Sequence, residues 1–551
     1  MADSDSSDVT ATHERFSNEE KNLAGHTVDV VRTLRDADAE TAAADFHRPH
    51  DTPPSLEPSK PADINCQGNS NAATLIPRPS ASPDDPLNWS WMKKHAVLLA
   101  LIPGCLLTDW TLTWGTTVFE MQAPEWGMTV EAVAQSVSPG IFMQGPGGLL
   151  AVPLSERYGR LPVLFYTQLL TLAATLGATF APTYPVFTLF RALQGLFGAA
   201  PQVIGLSVVH DLFFFHERAR KVNLWAASFL VGPYLGPLLS SLLVLRLGWR
   251  EDFAVLVGLY ALSVLVVVSL GDETLFVRGA GAGGGGDGSD KGEARGGLRK
   301  RVERLLGIEG SRRAAAGRPG LWEVFRHQCA LLARPYVLLP TALFVMPITM
   351  WTIGVVSTIS QFVLPPVAAG GYGFSLVGLA MLYWAPIVGT LVAEAWGHWF
   401  NDFLEKRHMA RYGFECRLTA AYPAVVIGAA GLVLFGQTLE HQLTWAGLAV
   451  GWAMLCFCTL ANMTAVSAYL LDCLPRHAAL TGAWLNFGRV VGGFSVAYFQ
   501  MPWVHRNGPA LAFGCQAVVI VGASLVIVVT QAWGRRWRAK FPAPGGGEVL
   551  E

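Results

Sequence analysis

Few charged or amide side chains interrupt the apolar stretches of this 551-residue chain, and those that do mark where chemistry could be done. Asp109 stands about two thirds of the way along one stretch, with Thr113 and Thr116 at i+4 and i+7 continuing its face. A carboxyl group so placed can recognise a cation or exchange a proton, and competition between the two would couple their binding. The alternative is an interfacial aspartate that anchors Trp110 and Trp114 at lipid headgroups. Arg191, Gln194 and Gly198 fall at i, i+3 and i+7, so a charge and an amide share a face that is costly in lipid and must meet protein, a watery cavity or, by snorkelling, the membrane surface. Ser357 and Gln361 share one face, and Asn486, Arg489 and Gly493 another; these are candidate walls of a pocket. Glu394, Asp472 and the pair His210 and Asp211 stand near the ends of their stretches, which suits salt bridges across a gate better than contact with a substrate. Trp351, Tyr383, Trp384 and Trp484 could stack on a flat or cationic ligand, or simply pack.

The elements that must position these residues are membrane-spanning helices. The chain is 51% hydrophobic and 15% charged, well below the charge content of soluble domains, which argues against an ordinary soluble enzyme. A net charge of -1 gives nucleic acid no electrostatic reason to bind. The 8 cysteines form no CxxC pair, so neither a disulfide framework nor a metal site is expected. Apolar stretches long enough to cross a bilayer run over 96–119, 133–154, 161–182, 184–212, 222–245 and 253–270, then over 336–364, 374–396, 418–437, 443–471, 480–501 and 509–531. The reading is an all-α membrane protein with twelve transmembrane helices in two six-helix bundles. Residues 1–92 read as a disordered cytosolic tail, 93–271 as the first bundle, 272–334 as a cytosolic central loop, 335–534 as the second bundle and 535–551 as a cytosolic tail. The central loop includes a glycine-rich linker, 279–297, followed by Arg299, Lys300, Arg301, Arg304, Arg312 and Arg313, which read as a solvated face that could also meet anionic lipid.

Lys and Arg set the orientation. Arg157, Arg160, Arg218, Arg220, Lys221, Lys406, Arg407, Arg411 and Arg417 occupy loops on one side, together with Lys93, Lys94 and Arg535, Arg536 and Arg538. The loop between the first two spans holds Glu120, Glu125 and Glu131 instead. Both termini are therefore expected in the cytosol, in a multi-pass protein of the plasma membrane.

Between the second and third spans the sequence reads PLSERYGRLP over 153–162. Glu156, Arg157 and Arg160 put opposite charges where one bundle could latch on another, and Gly159 permits the tight turn. This order of residues resembles the signature loop of the major facilitator superfamily in its fungal members, with Val152 in place of a leading glycine and Leu161 in place of a second basic residue. RALQG at 191–195 is similar to the family's fourth-span motif, and the resemblance implies a part in proton coupling for Arg191. GPYLGP at 232–237 (Gly232, Pro233, Gly236, Pro237) resembles the antiporter motif of proton-driven exporters, in a fifth span that its prolines should kink and its glycines bring close to a neighbour. GHWFND at 397–402, DPLNW at 85–89 and HDLFFFH at 210–216 are similar to fungal members of the twelve-span drug:proton antiporter family, and to its subgroup of organic-cation and polyamine transporters. His398 and Asp402 are spaced like metal ligands, but a hydrogen-bonded cytosolic loop is the preferred reading.

The resemblance implies a major facilitator fold and a proton-coupled secondary transporter exporting an organic compound by alternating access. A proton symporter importing polyamines or other cations, and a transporter-like nutrient sensor, are the alternatives. No P-loop, HExxH or GxSxG is present, so neither ATP hydrolysis nor enzyme chemistry is expected. Energy would come from the proton gradient without a cofactor. The expected partners are a small organic substrate, protons and the bilayer, for a monomer that binds no nucleic acid.

Overall fold

The computed structural model describes residues 79–80, 82, 85–276, 295–315 and 318–543. Most of the expected amino-terminal tail, the glycine-rich part of the linker and the last eight residues lie outside the described residues. Among the described residues twelve long helices carry the fold: α1 (Trp91–Trp114), α2 (Val137–Tyr158), α3 (Arg160–Thr179), α4 (Tyr184–Leu212), α5 (Phe215–Leu243), α6 (Trp249–Leu270), α7 (Pro335–Val363), α8 (Leu376–Phe400), α9 (Ala421–Glu440), α10 (Trp445–Cys473), α11 (Ala478–Asn507) and α12 (Pro509–Lys540).

Ten of these are long and apolar enough to cross a membrane. The other two, α2 and α11, have the length but are diluted by polar and small residues: Gln144, Pro146 and Gly145, Gly147 and Gly148 in α2, and Asn486, Arg489 and Gln500 in α11. They pack against each other across the middle of the molecule, so protein covers the faces that lipid would reject. In the first half α1 packs on α5, α2 on α4, and α3 on α4 and α6; in the second, α9 packs on α10 and α12, α8 on α10, and α7 on α11. The halves meet along α2 with α11 and α5 with α8.

Local signals explain the helix starts. Asp85 accepts a hydrogen bond from the Leu87 amide at 3.1 Å and caps a short turn, and Ser90 then caps α1. The observed helices also run further than the apolar stretches. The expected loop after the eighth span is helical through Tyr412, and the start of the expected carboxy-terminal tail continues α12 to Lys540. There Arg538 forms an ion pair with Glu415 at 2.5 Å, which holds the extra turn. The described part of the central loop is likewise helical, over Arg295–Leu305, Ile308–Ala315 and Leu321–Leu332.

Twelve crossings return the chain to the end where it began. At that terminus-bearing end the seam between halves is closed: Asn223 of α5 donates to the Glu394 carbonyl of α8 at 2.9 Å and to its carboxylate, and Thr464 of α10 donates to Asn223 Oδ1 at 2.8 Å. At the far end a cavity of about 340 Å³ opens between the halves.

Candidate functional site

The chemistry is concentrated between the halves, where α1, α2 and α4 meet α11. Asp109 is 4% exposed and Arg489 3%, and they form an ion pair across the halves, Arg489 Nη1 donating to Asp109 Oδ2 at 2.7 Å and Nη2 to Oδ1 at 3.3 Å. Amides complete the shell. Gln144 donates to Asp109 Oδ1 at 2.8 Å, while Arg489 Nη2 also donates to Gln202 Oε1 at 2.9 Å and Asn486 Oδ1 at 3.0 Å. The Arg489 guanidinium lies over the Phe229 ring, 5.5 Å from its centre. A buried pair with this many hydrogen bonds is tolerable in a low-dielectric interior, although Arg489 Nε finds no partner among the described residues, and either charge left without the other would be costly.

Beside the pair is a central space of about 40 Å³, lined by Thr113, Tyr234, Thr352, Ser357 and Thr459 as well as Asp109 and Arg489. That volume holds little more than water. Ser357 also lines the far-end cavity, with Thr116, Gln361 and Tyr498, so the two spaces adjoin. The reading of Asp109 as an interfacial anchor is thus overturned, because its carboxylate faces inward to Arg489.

Arg191 has a different environment. It is 1% exposed and donates to the Thr111 carbonyl at 2.6 Å, to the Leu112 carbonyl and to Gln194 Oε1 at 3.1 Å, and Gln194 in turn donates to Thr175. Neither snorkelling nor a position on the cavity wall describes it. The four candidate aromatics do not line the central space either: Trp351 packs edge-on against Phe499, Tyr383 against Trp452, Trp484 donates to the Gln328 carbonyl, and Trp384 is half-exposed. Gln144, Gln202, Tyr234 and the threonines of α7 and α10 were missed by sequence reasoning. The two glutamines carried a usable signal, an amide inside an apolar span.

Residues 99–497 match the sequence pattern of the Major Facilitator Superfamily. The chain belongs to that superfamily. An uncharacterized transporter of Schizosaccharomyces pombe is 22% identical over 83% of this chain and 91% of its own. The trichosetin biosynthesis cluster MFS transporter of Gibberella fujikuroi is 30% identical over 35% of this chain and 40% of its own. A solved structure of the proton:xylose symporter XylE bound to 6-bromo-6-deoxy-D-glucose superposes with a TM-score of 0.56 at 12% identity, covering 81% of this chain and 96% of that one, which shows the fold. The family and fold are those of a multi-pass membrane transporter rather than an enzyme.

In this superfamily member the signature loop is tied to its own half and to the central segment. Gly159 has φ 108°, a conformation that favours glycine, and Arg160 pairs with Asp211 at the end of α4 and lies 4.0 Å from Glu156. Glu273 accepts from the Arg160 and Leu161 amides at 3.0 and 3.2 Å, a carboxylate at the start of α3. Arg157 reaches the Pro319 carbonyl in the central segment, at 3.4 Å. The second half repeats the device with Arg417, before α9, bonded to Asp472 near the end of α10 at 3.0 Å. Glu394 does bridge the gate, through the Asn223 amide.

The GPYLGP segment makes a tight contact beside the site. A Cβ on Gly232 would lie 2.4 Å from the Leu106 carbonyl oxygen and one on Gly236 would lie 2.7 Å from that of Trp110, so α5 rests on the backbone of α1 next to Asp109. Pro233 lines the central space, and α5 stays a continuous helix through Pro237.

Proposed function

We propose that this superfamily member is a proton-coupled secondary transporter that exports a small organic compound by alternating access across the plasma membrane. The observation that carries the reading is the Asp109–Arg489 pair: a carboxylate buried between the halves, beside a small central space that adjoins the far-end cavity. Protonating Asp109 removes the charge that holds Arg489, and a rearrangement of the interface follows. The contact of the antiporter-like motif with the same turn of α1 supports placing the chain in the drug:proton antiporter family. A relative named for a biosynthesis cluster supports export of a metabolite. Basic residues at the terminus-bearing end support cytosolic termini.

The test is net flux of labelled polyamines, cationic drugs and hydrophobic weak acids in transporter-deficient yeast, with and without an uncoupler. Lower accumulation than in control cells, restored by the uncoupler, is expected. Higher, uncoupler-sensitive accumulation would replace export by symport. Asp109→Asn is expected to abolish concentrative transport while the protein still folds and reaches the membrane; unchanged coupled transport would remove Asp109 from the mechanism.

A further inference from the structure

Away from the transport site, an apolar groove of about 370 Å³ runs along the outside of the first half. Leu150 and Leu154 of α2, Tyr166 and Leu170 of α3 and Phe197 of α4 line it, and Leu306, Gly307 and Ser311 of the central segment form its terminus-bearing end. From Gly147 to Tyr158 it follows α2 for eleven residues, about 16 Å at the helical rise, which is the depth of one leaflet's hydrocarbon. The exposed Leu150, Leu154 and Leu170 give it a surface that water would disfavour.

The segment that closes this groove is strongly basic. Residues 295–315 contain Arg295, Arg299, Lys300, Arg301, Arg304, Arg312 and Arg313 against Glu303 and Glu309, a net charge of +5. Two of the arginines are committed to the fold: Arg301 donates to the Val268 and Ser269 carbonyls at the end of α6, and Arg304 pairs with Asp272 at 3.3 Å and Glu309 at 3.0 Å. Arg299 and Arg312 are not. Their side chains are 82% and 71% exposed and share one carboxylate, Glu303. Val302, Leu306 and Ile308 lie exposed among them, the mixture of apolar and cationic groups suited to a membrane interface. The segment is held on the groove by backbone contact, since a Cβ on Gly310 would overlap the Tyr158 carbonyl.

We propose that the groove between α2, α3 and α4, closed by residues 306–311, binds one anionic phospholipid, its acyl chain along Leu150, Leu154 and Leu170 and its phosphate held by Ser311, Arg312 and Arg299. A zwitterionic lipid would fill the groove equally well but leave the arginines without a matching net charge. The proposal is independent of the direction and coupling of transport.

The experiment is native mass spectrometry of the full chain in detergent, titrated with phosphatidylglycerol and with phosphatidylcholine. At least about tenfold tighter retention of the first phosphatidylglycerol is expected, from the attraction of two surface arginines. In the double variant Arg299→Gln, Arg312→Gln the two lipids should bind alike, with phosphatidylcholine binding unchanged as the sign of an intact fold. In Leu154→Trp, which fills the groove, the tight first site should be lost for both lipids. Equal binding to the unaltered protein, or a preference for phosphatidylglycerol that survives in either variant, overturns the proposal.

Discussion

Arg191 and Arg489 are both buried, both lie in long helices and both reach the same turn of α1, yet they are satisfied by different partners. Arg191 binds the Thr111 and Leu112 carbonyls, in the last turn of a helix that ends at Trp114. Carbonyls there lack intrahelical partners and carry the negative end of the dipole, so Arg191 acts as a cap that no change of protonation can release. Arg489 binds a carboxylate from the other half of the molecule, and a proton on Asp109 would release it. The difference teaches that a charge in a span is a poor guide to mechanism until its counter-group is known. A backbone acceptor makes a fixed joint, and a titratable one makes a breakable joint.

The strongest way to break this comparison is Arg489→Ala. Leaving Asp109 buried and alone is expected to abolish transport and cost about 3–5 kcal/mol of stability, seen as a lowered melting temperature of the purified protein. The double variant Asp109→Asn, Arg489→Gln should regain most of that stability and none of the coupled transport. Arg191→Ala should cost about 3 kcal/mol through lost charge-assisted hydrogen bonds, while the remaining active protein keeps its dependence on the proton gradient; loss of coupling at normal stability would put Arg191 in the proton path. Gly236→Val should slow turnover about tenfold by forcing α5 off the Trp110 carbonyl, and normal single-turnover rates would show that the contact yields freely.

A third arginine sharpens the lower end of the scale. Arg250 pairs with Glu125 at 2.6 Å, but both are more than a third exposed. The Arg250 hydrogen bond holds the Glu125 carboxyl below its ordinary range, against a smaller upward push from burial. A depressed carboxyl stabilises the fold above its unfolded pKa and loses that contribution as pH falls through the folded value. Glu125→Gln should therefore cost about 0.5 kcal/mol at pH 7, after solvent screening, and nothing in acid once the carboxyl is protonated; melting curves at the two pH values decide it.

Much of the architecture was legible because a bilayer imposes length and hydropathy on every crossing. The positions of Asp109, Asn486 and Arg489 were legible for the same reason, as polar residues where polarity is costly. Their union was not, since Asp109 and Arg489 are 380 residues apart and no local pattern records which faces of α1 and α11 meet. The signature loop shows a different limit: its charges were visible, but not that Arg160 pairs with Asp211 in its own half. The helical course of the central segment was hidden by its glycines and its charge, and becomes intelligible only through contacts such as Arg301 with the end of α6.

The seat of α5 on α1 has a mechanical consequence. With no side chain between Gly232 or Gly236 and the carbonyls beneath them, the contact has no slack to absorb a tilt. Asn223, which ties α5 to α8, lies thirteen residues from Gly236, a lever arm of about 20 Å. A swing of about 5° about that fulcrum carries the Asn223 end roughly 2 Å, enough to part a hydrogen bond, while the turn of α1 bearing Asp109 is rocked in step. If the halves rock as proposed, the opening of one end and the aim of the central carboxylate would be geared through α5.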